Sequence, residues 1–228
     1  MPVRRSRSRR TVALIATATV ASGGALLTAP AFAHAAPAGC TSTFNLFIPG
    51  TWETDENADP NQPVGMLKPI ADALESNHGS QAQVYTLPYM ASAFDNGHTY
   101  ADSKADAVSK AKQVLADVAT SCPSTKFTMV GYSQGADAAG DIASAIGNGQ
   151  GPIDASRVLA VGLLADPGAG TKGTATVGPR TSGQGIADPR PQGWALYRGA
   201  SPRSAIREIC TARSKRGRAP CSARSDRS

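Results

Sequence analysis

The 228-residue chain has no Cys-x-x-Cys pair and no Cys/His cluster, so a structural zinc site has no support in it. It has no internal repeat of useful length, which excludes solenoids and propellers. It also lacks an apolar run suited to spanning a bilayer. The longest such run, residues 11–27, is about 17 residues, rich in Ala, Thr and Gly, and soon meets Pro30. Positive charge is missing where it would matter. The formal charge is +6, but residues 1–33 hold five basic and no acidic residues, and residues 194–228 hold nine basic and two acidic. Residues 34–193 carry nine basic and fifteen acidic residues, a net charge of −6. A footprint for nucleic acid or anionic lipid is therefore absent from the segment that can fold.

What is present begins with an export signal. Arginines at 4, 5, 7, 9 and 10 precede the apolar run, and Ala31-Phe32-Ala33 supplies small residues for cleavage after Ala33 or within residues 35–36. The arginine pair fits either the twin-arginine or the general route. Removal leaves about 190 residues, enough for one domain with a sizeable core. The four cysteines are Cys40, Cys122, Cys210 and Cys221, and an oxidising destination makes disulfides the default. A bridge between Cys40, just before the first strand, and Cys122, after the helix that leads into the strand at 126–131, would tie the mature N-terminus to the sheet.

Hydrophobic patterning predicts strands at 43–48, 83–87, 126–131 and 158–164. Helices are expected at 65–77, with Met66, Ile70 and Leu74 on its apolar face, at 100–120, with Val108, Ala111, Leu115 and Val118, and at 135–146. Strand and helix alternate, so a doubly wound parallel sheet is expected, as an α/β/α three-layer sandwich. Residues 167–192 are rich in Gly, Pro and Thr and show no period. Beyond Gly193 the composition turns to Arg, Ser, Ala and Pro, with no apolar face. The last strand of such a sheet is therefore expected to be missing. The domain limits read as a leader at 1–33, a folded domain at 37–193, and a basic, disordered tail at 194–228.

Gly131-Tyr132-Ser133-Gln134-Gly135 matches G-x-S-x-G. Chance alone yields on the order of 0.2 such matches at this glycine and serine content, so the pattern by itself says little. Its setting says more. An apolar strand precedes it and an Ala-rich helix follows, which is what a nucleophile elbow requires. Ser133 would then stand at a helix N-terminus, where the Gln134 backbone N–H can stabilise an oxyanion.

The motif at 131–135, the first strand running into Pro49-Gly50-Thr51, the flanking Cys40 and Cys122, and the loop from Ala165-Asp166-Pro167-Gly168 through Gly183-Gln184-Gly185-Ile186 together resemble cutinase-like serine esterases of actinobacteria. The resemblance covers about residues 40–193. It implies an α/β hydrolase with Ser133 as nucleophile and an oxyanion hole made by Gln134 and Thr51. Thr51 also ends a strand at the carboxyl edge of the sheet, where α/β sites form.

The triad does not close within this sequence. An α/β hydrolase needs an acid and then a histidine after its serine, yet the three histidines, His34, His78 and His98, all precede Ser133. His78 and His98 read as loop-surface residues. Asp166 could be offered as the acid, but the resemblance implies a later one, between two cysteines. Written back into codons and read two bases on, residues 193–216 admit MGALSGRVASICDPGDLYCSIEK, a strand followed by two cysteines flanking a Gly-Asp pair. A frameshift near codon 193 is expected. Cys210 and Cys221 would then not be the family's second disulfide, and this chain would lack the triad acid and base.

The reading is a secreted carboxylic-ester hydrolase that forms an acyl-enzyme, with no cofactor and no metal. Its partner is an ester substrate, small-molecule, lipid or polyester; no nucleic acid is expected, and the state is monomeric. The alternative is a non-catalytic secreted binding protein on an esterase scaffold.

Overall fold

The computed structural model describes residues 39–95, 97–178 and 184–195, and the backbone of 206–209. The leader, His34, Cys210, Cys221 and the tail other than residues 194–195 and 206–209 lie outside these residues. In chain order the elements are β1 (Thr43–Ile48), α1 (Lys68–His78), β2 (Ala82–Thr86), α2 (Tyr100–Ser121), β3 (Lys126–Tyr132), α3 (Gln134–Gly147), β4 (Val158–Leu164), β5 (Ala175–Val177) and β6 (Ile206–Ile209).

Among the described residues the strands form one sheet, ordered β2-β1-β3-β4-β6-β5, with every pairing parallel. Side chains alternate across a strand, so β1 serves both faces. Phe44, Leu46 and Ile48 join Ala107, Ala111 and Leu115 of α2 and Ala138, Ile142 and Ile146 of α3 in the larger core. Phe47 turns the other way, to Leu67, Ala71, Val84 and Leu164 beside α1. Burying such a Phe, Leu or Ile contributes about 1.5–3 kcal/mol relative to exposure. The result is the expected three-layer α/β fold with a central parallel sheet.

Helix starts are locally encoded. At α2, the Thr99 hydroxyl accepts from the Asp102 N–H at 3.1 Å while the Asp102 carboxylate accepts from the Thr99 N–H at 3.1 Å. This reciprocal cap satisfies two donors that the first turn would otherwise leave unpaired. At α1 the expected apolar face needs correction. Met66 and Ile70 are exposed, at 51% and 37%, and the buried stripe is Leu67 and Ala71 with Leu74 packed beside them. A 3₁₀ turn over Gly65–Leu67 precedes the α-helix. Its three residues per turn shift the phase by which residues 65–67 enter the helix.

The C-terminal expectation is also corrected. Ile206–Ile209 pairs in parallel with both β4 and β5, so the sheet carries a strand beyond residue 193. Trp194, assigned to the tail, is 1% exposed within the larger core, and its indole N–H donates to the Thr174 hydroxyl at 3.0 Å. The loop 167–192 likewise contains a short strand, β5. Backbone pairing needs no side-chain alternation, and a four-residue strand with Arg207 and Glu208 at its centre presents none.

Cys40 and Cys122 form the expected disulfide, with Cα atoms 5.5 Å apart. It closes a loop spanning β1 to the end of α2, for which the chain-entropy estimate is about 4 kcal/mol. Among the described residues no helix is long and apolar enough to cross a membrane.

Candidate active site

The chain leaves β1, forms α1 and adds β2 on one side, then crosses back past β1 to add β3 on the other. The carboxyl ends of β1 and β3 therefore flank the point where winding reverses. Loops leaving adjacent strands there part in opposite directions and open a crevice, the usual ligand position in such sheets. Thr51 follows β1 and Ser133 follows β3.

Ser133 sits between β3 and α3 with φ 51° and ψ −120°, a left-handed conformation rare for a residue with a Cβ. Such strain persists only where the surroundings over-determine it. Here the Ser133 N–H donates to the Leu164 carbonyl at 2.9 Å, and the Ser133 carbonyl accepts from Ala136 and Asp137 at 2.9 and 3.0 Å. The glycines of the motif allow the turn to close. A Cβ on Gly131 would lie 2.3 Å from the Gly135 carbonyl oxygen, and one on Gly135 would lie 2.0 Å from that of Ile48. Strand, turn and helix thus meet at separations no side chain could share. Ser133 is half-buried, and among the described residues its hydroxyl makes no hydrogen bond.

The loop after β1 is braced at both ends. The Glu53 carboxylate accepts from Gly50 N–H at 2.8 Å and from Met66 N–H at 2.9 Å. On the other side the Trp52 N–H donates to the Ala91 carbonyl at 2.6 Å, and the Trp52 indole N–H to Asp95 at 3.3 Å. A hydrogen bond from the Ser92 hydroxyl holds the Asp95 carboxyl below its ordinary range. Trp52 and Phe94 present rings 72% and 86% exposed, each from a left-handed backbone. Thr51, half-buried, lies between the two braces. Gln134 is fully buried, and its N–H opens α3.

Asp166 is committed elsewhere. Arg190, buried in the loop after β4, donates to Asp166 at 2.7 and 3.2 Å, to Asp141 at 2.9 Å, and to the Asp137 carboxylate at 3.2 Å and carbonyl at 2.8 Å. Lys104 of α2 adds contacts to Asp137 at 3.0 Å and Asp141 at 2.8 Å. This hub had no sequence motif to announce it. Its one signal is an arginine set between prolines in an otherwise acidic domain. His78 and His98 are both exposed as expected, but His78 is the last residue of α1 rather than a loop residue, because the helix runs one residue beyond its expected end at 77. Among the described residues no cluster of His, Cys, Asp and Glu could hold a metal ion.

A strained serine between a parallel strand and a helix N-terminus, at the switch point of a three-layer sheet, defines an α/β hydrolase scaffold. The sequence profile of the cutinase family matches residues 52–215. The chain belongs to the cutinase family. A carboxylesterase Culp6 homolog from Corynebacterium glutamicum is 36% identical over 147 residues, which cover 59% of this chain and 48% of that protein. The chain thus spans about half the length of that curated relative. The catalytic core domain of an acetyl xylan esterase from Trichoderma reesei superposes with a TM-score of 0.54 at 21% identity, over 77% of this chain and 89% of that one. A second acetyl xylan esterase structure gives 0.53 at 19% identity, over 75% and 83%. At these identities the two structures speak to the fold alone. The family match extends past residue 193, where the motif resemblance stops, and takes in the paired strand β6.

Proposed function

We propose that the chain is an exported carboxylic-ester hydrolase acting through an acyl-enzyme on Ser133, with the Gln134 N–H and Thr51 receiving the oxyanion. The observation that carries this reading is the left-handed Ser133 at the head of α3, flanked by glycines without which strand and helix would collide. Family membership supports ester chemistry. The leader at 1–33 and the Cys40–Cys122 disulfide support export to an oxidising compartment.

Ser133 Oγ attacks the ester carbonyl, and the carbonyl oxygen takes the charge as the tetrahedral intermediate forms. Two donors fixed before the reaction stabilise that charge without reorganising. Collapse expels the alcohol; water then cleaves the acyl-enzyme, releasing the acid and restoring Ser133. No cofactor enters these steps. The substrate is an ester of a small molecule, a lipid or a polyester, and the working unit is a monomer.

The Ser133 proton needs a base, and no histidine follows Ser133 in the 228 residues. The reading therefore assigns the triad acid and histidine to sequence encoded one frame away from codon 193 onward. The chain as written would keep only the acceleration of about 10³–10⁴ that binding and the oxyanion hole supply. The test is hydrolysis of a short p-nitrophenyl ester by the frame-restored protein, beside its Ser133→Ala variant. Near-complete loss in the variant is expected; retained activity rejects Ser133. Equal rates from the restored chain and the chain as written reject the frame assignment. Ester binding without turnover by either would favour a binding protein on an esterase scaffold.

A further inference from the structure

Gln134 enters the reading above through its backbone N–H, but its side chain is the more unusual feature. It is 0% exposed, and a buried primary amide has two donors and two acceptor positions to satisfy. All four are met. Oε1 accepts from the Tyr89 hydroxyl at 3.2 Å and the Ser103 hydroxyl at 3.0 Å, while Nε2 donates to the Ser92 carbonyl at 3.1 Å and the Tyr100 carbonyl at 3.4 Å. The amide can face only one way, because the flipped form would set its oxygen against two carbonyl oxygens.

Those partners reach on to the loop that carries Thr51. The single hydrogen of the Tyr89 hydroxyl is shared between Gln134 Oε1 and the Pro49 carbonyl, which lies at 2.8 Å. Burial, with the charges of Glu53 and Asp106, pushes the Tyr89 hydroxyl far above the ordinary phenol range, so it remains a donor at any working pH. Ser103 accepts from the Ser92 N–H at 2.9 Å, which fixes the turn whose Ala91 carbonyl holds Trp52 N–H at 2.6 Å. Pro49 and Trp52, the near neighbours of Thr51 on either side, are thus both held by residues that the Gln134 amide ties down. An apolar side chain of equal size would fill the same space without needing four polar partners.

We propose that the Gln134 side chain is a positioning residue of the oxyanion hole, setting through Tyr89, Ser92 and Ser103 the separation between its own backbone N–H and Thr51. The inference rests on the reading of Ser133, Thr51 and Gln134 given above. It assigns to one residue a donor and the strut that aims its partner.

The test has two arms. In the first, hydrogen exchange followed by mass spectrometry compares the full chain as written with Gln134→Glu, Gln134→Met and Tyr89→Phe. Faster exchange is expected in the peptide holding residues 50–53, where the Trp52 amide is bonded to Ala91, with β3 and β4 protected as before. Unchanged exchange at 50–53, or a rise spread evenly over the sheet, overturns the strut. In the second arm, the same variants are made in the frame-restored protein. A kcat lower by about tenfold for Gln134→Glu, and less for Tyr89→Phe, with KM within about twofold, is expected if only the transition-state donors move. A loss in KM alone overturns the proposal. Should the restored parent show no turnover, the esterase reading fails, while the exchange arm still decides whether Gln134 holds the loop.

Discussion

The two loops that leave the carboxyl edge after β3 and after β4 are held by opposite means. The turn at Ser133 is built from backbone hydrogen bonds and from glycines that let main chain approach main chain. The segment after β4 is held by charge, through Arg190 and three aspartates, with Lys104 beside two of them. A turn that must present one atom at a fixed angle is best fixed by the main chain, whose geometry leaves few alternatives. A segment that only has to be returned to the body of the domain can be anchored by one side chain.

The contrast predicts different failures. The largest effect belongs to Arg190→Met. Asp137 and Asp166 are 3% and 5% exposed, and removing Arg190 leaves Asp166 buried without a cation and Asp137 with Lys104 alone. A loss of about 3–5 kcal/mol is expected, read as a lowered midpoint of urea unfolding. A loss below about 1 kcal/mol would mean that charge does not hold this segment. Next comes Gly135→Ala, whose Cβ would meet the Ile48 and Pro49 carbonyl oxygens at 2.0 and 2.4 Å. Overpacking against main chain should cost about 3 kcal/mol. Calorimetry would show the lowered Tm, and a Tm like that of the parent would show that the elbow is looser than described. The smallest is Thr51→Val in the frame-restored protein. It should lower kcat about 10²-fold, with the unfolding curve unmoved, if Thr51 donates to the oxyanion. An unchanged kcat would move that donor elsewhere.

The same contrast explains what the sequence could reveal. β1 and β4 were legible to the residue, because a parallel strand covered by helices reads as a short apolar run bounded by turn residues. Ser133 was legible because its motif, strand and helix are contiguous. α1 was recognised but turned about its axis: large apolar residues at 66 and 70 outweighed the small Ala71, and the 3₁₀ turn before the helix altered the phase. Arg190 was missed because its partners lie 24, 49 and 53 residues away and no local pattern joins them. β6 was missed because its backbone pairs with β4 and β5 without any apolar alternation in its four residues to mark it. The Gln134 amide was missed for a third reason. Its partners are ordinary Ser and Tyr residues whose convergence exists only once α2 and α3 pack together.

The central claim is that Ser133 is the nucleophile and that the elbow holds it ready. The most direct measurement is peptide mass spectrometry of the frame-restored protein after treatment with a p-nitrophenyl alkylphosphonate, which traps a serine nucleophile as a stable phosphonyl ester. The account predicts one adduct, on the peptide containing Ser133, and none in Ser133→Ala. An adduct on another residue, or equal labelling of the Ser133→Ala variant, would contradict it.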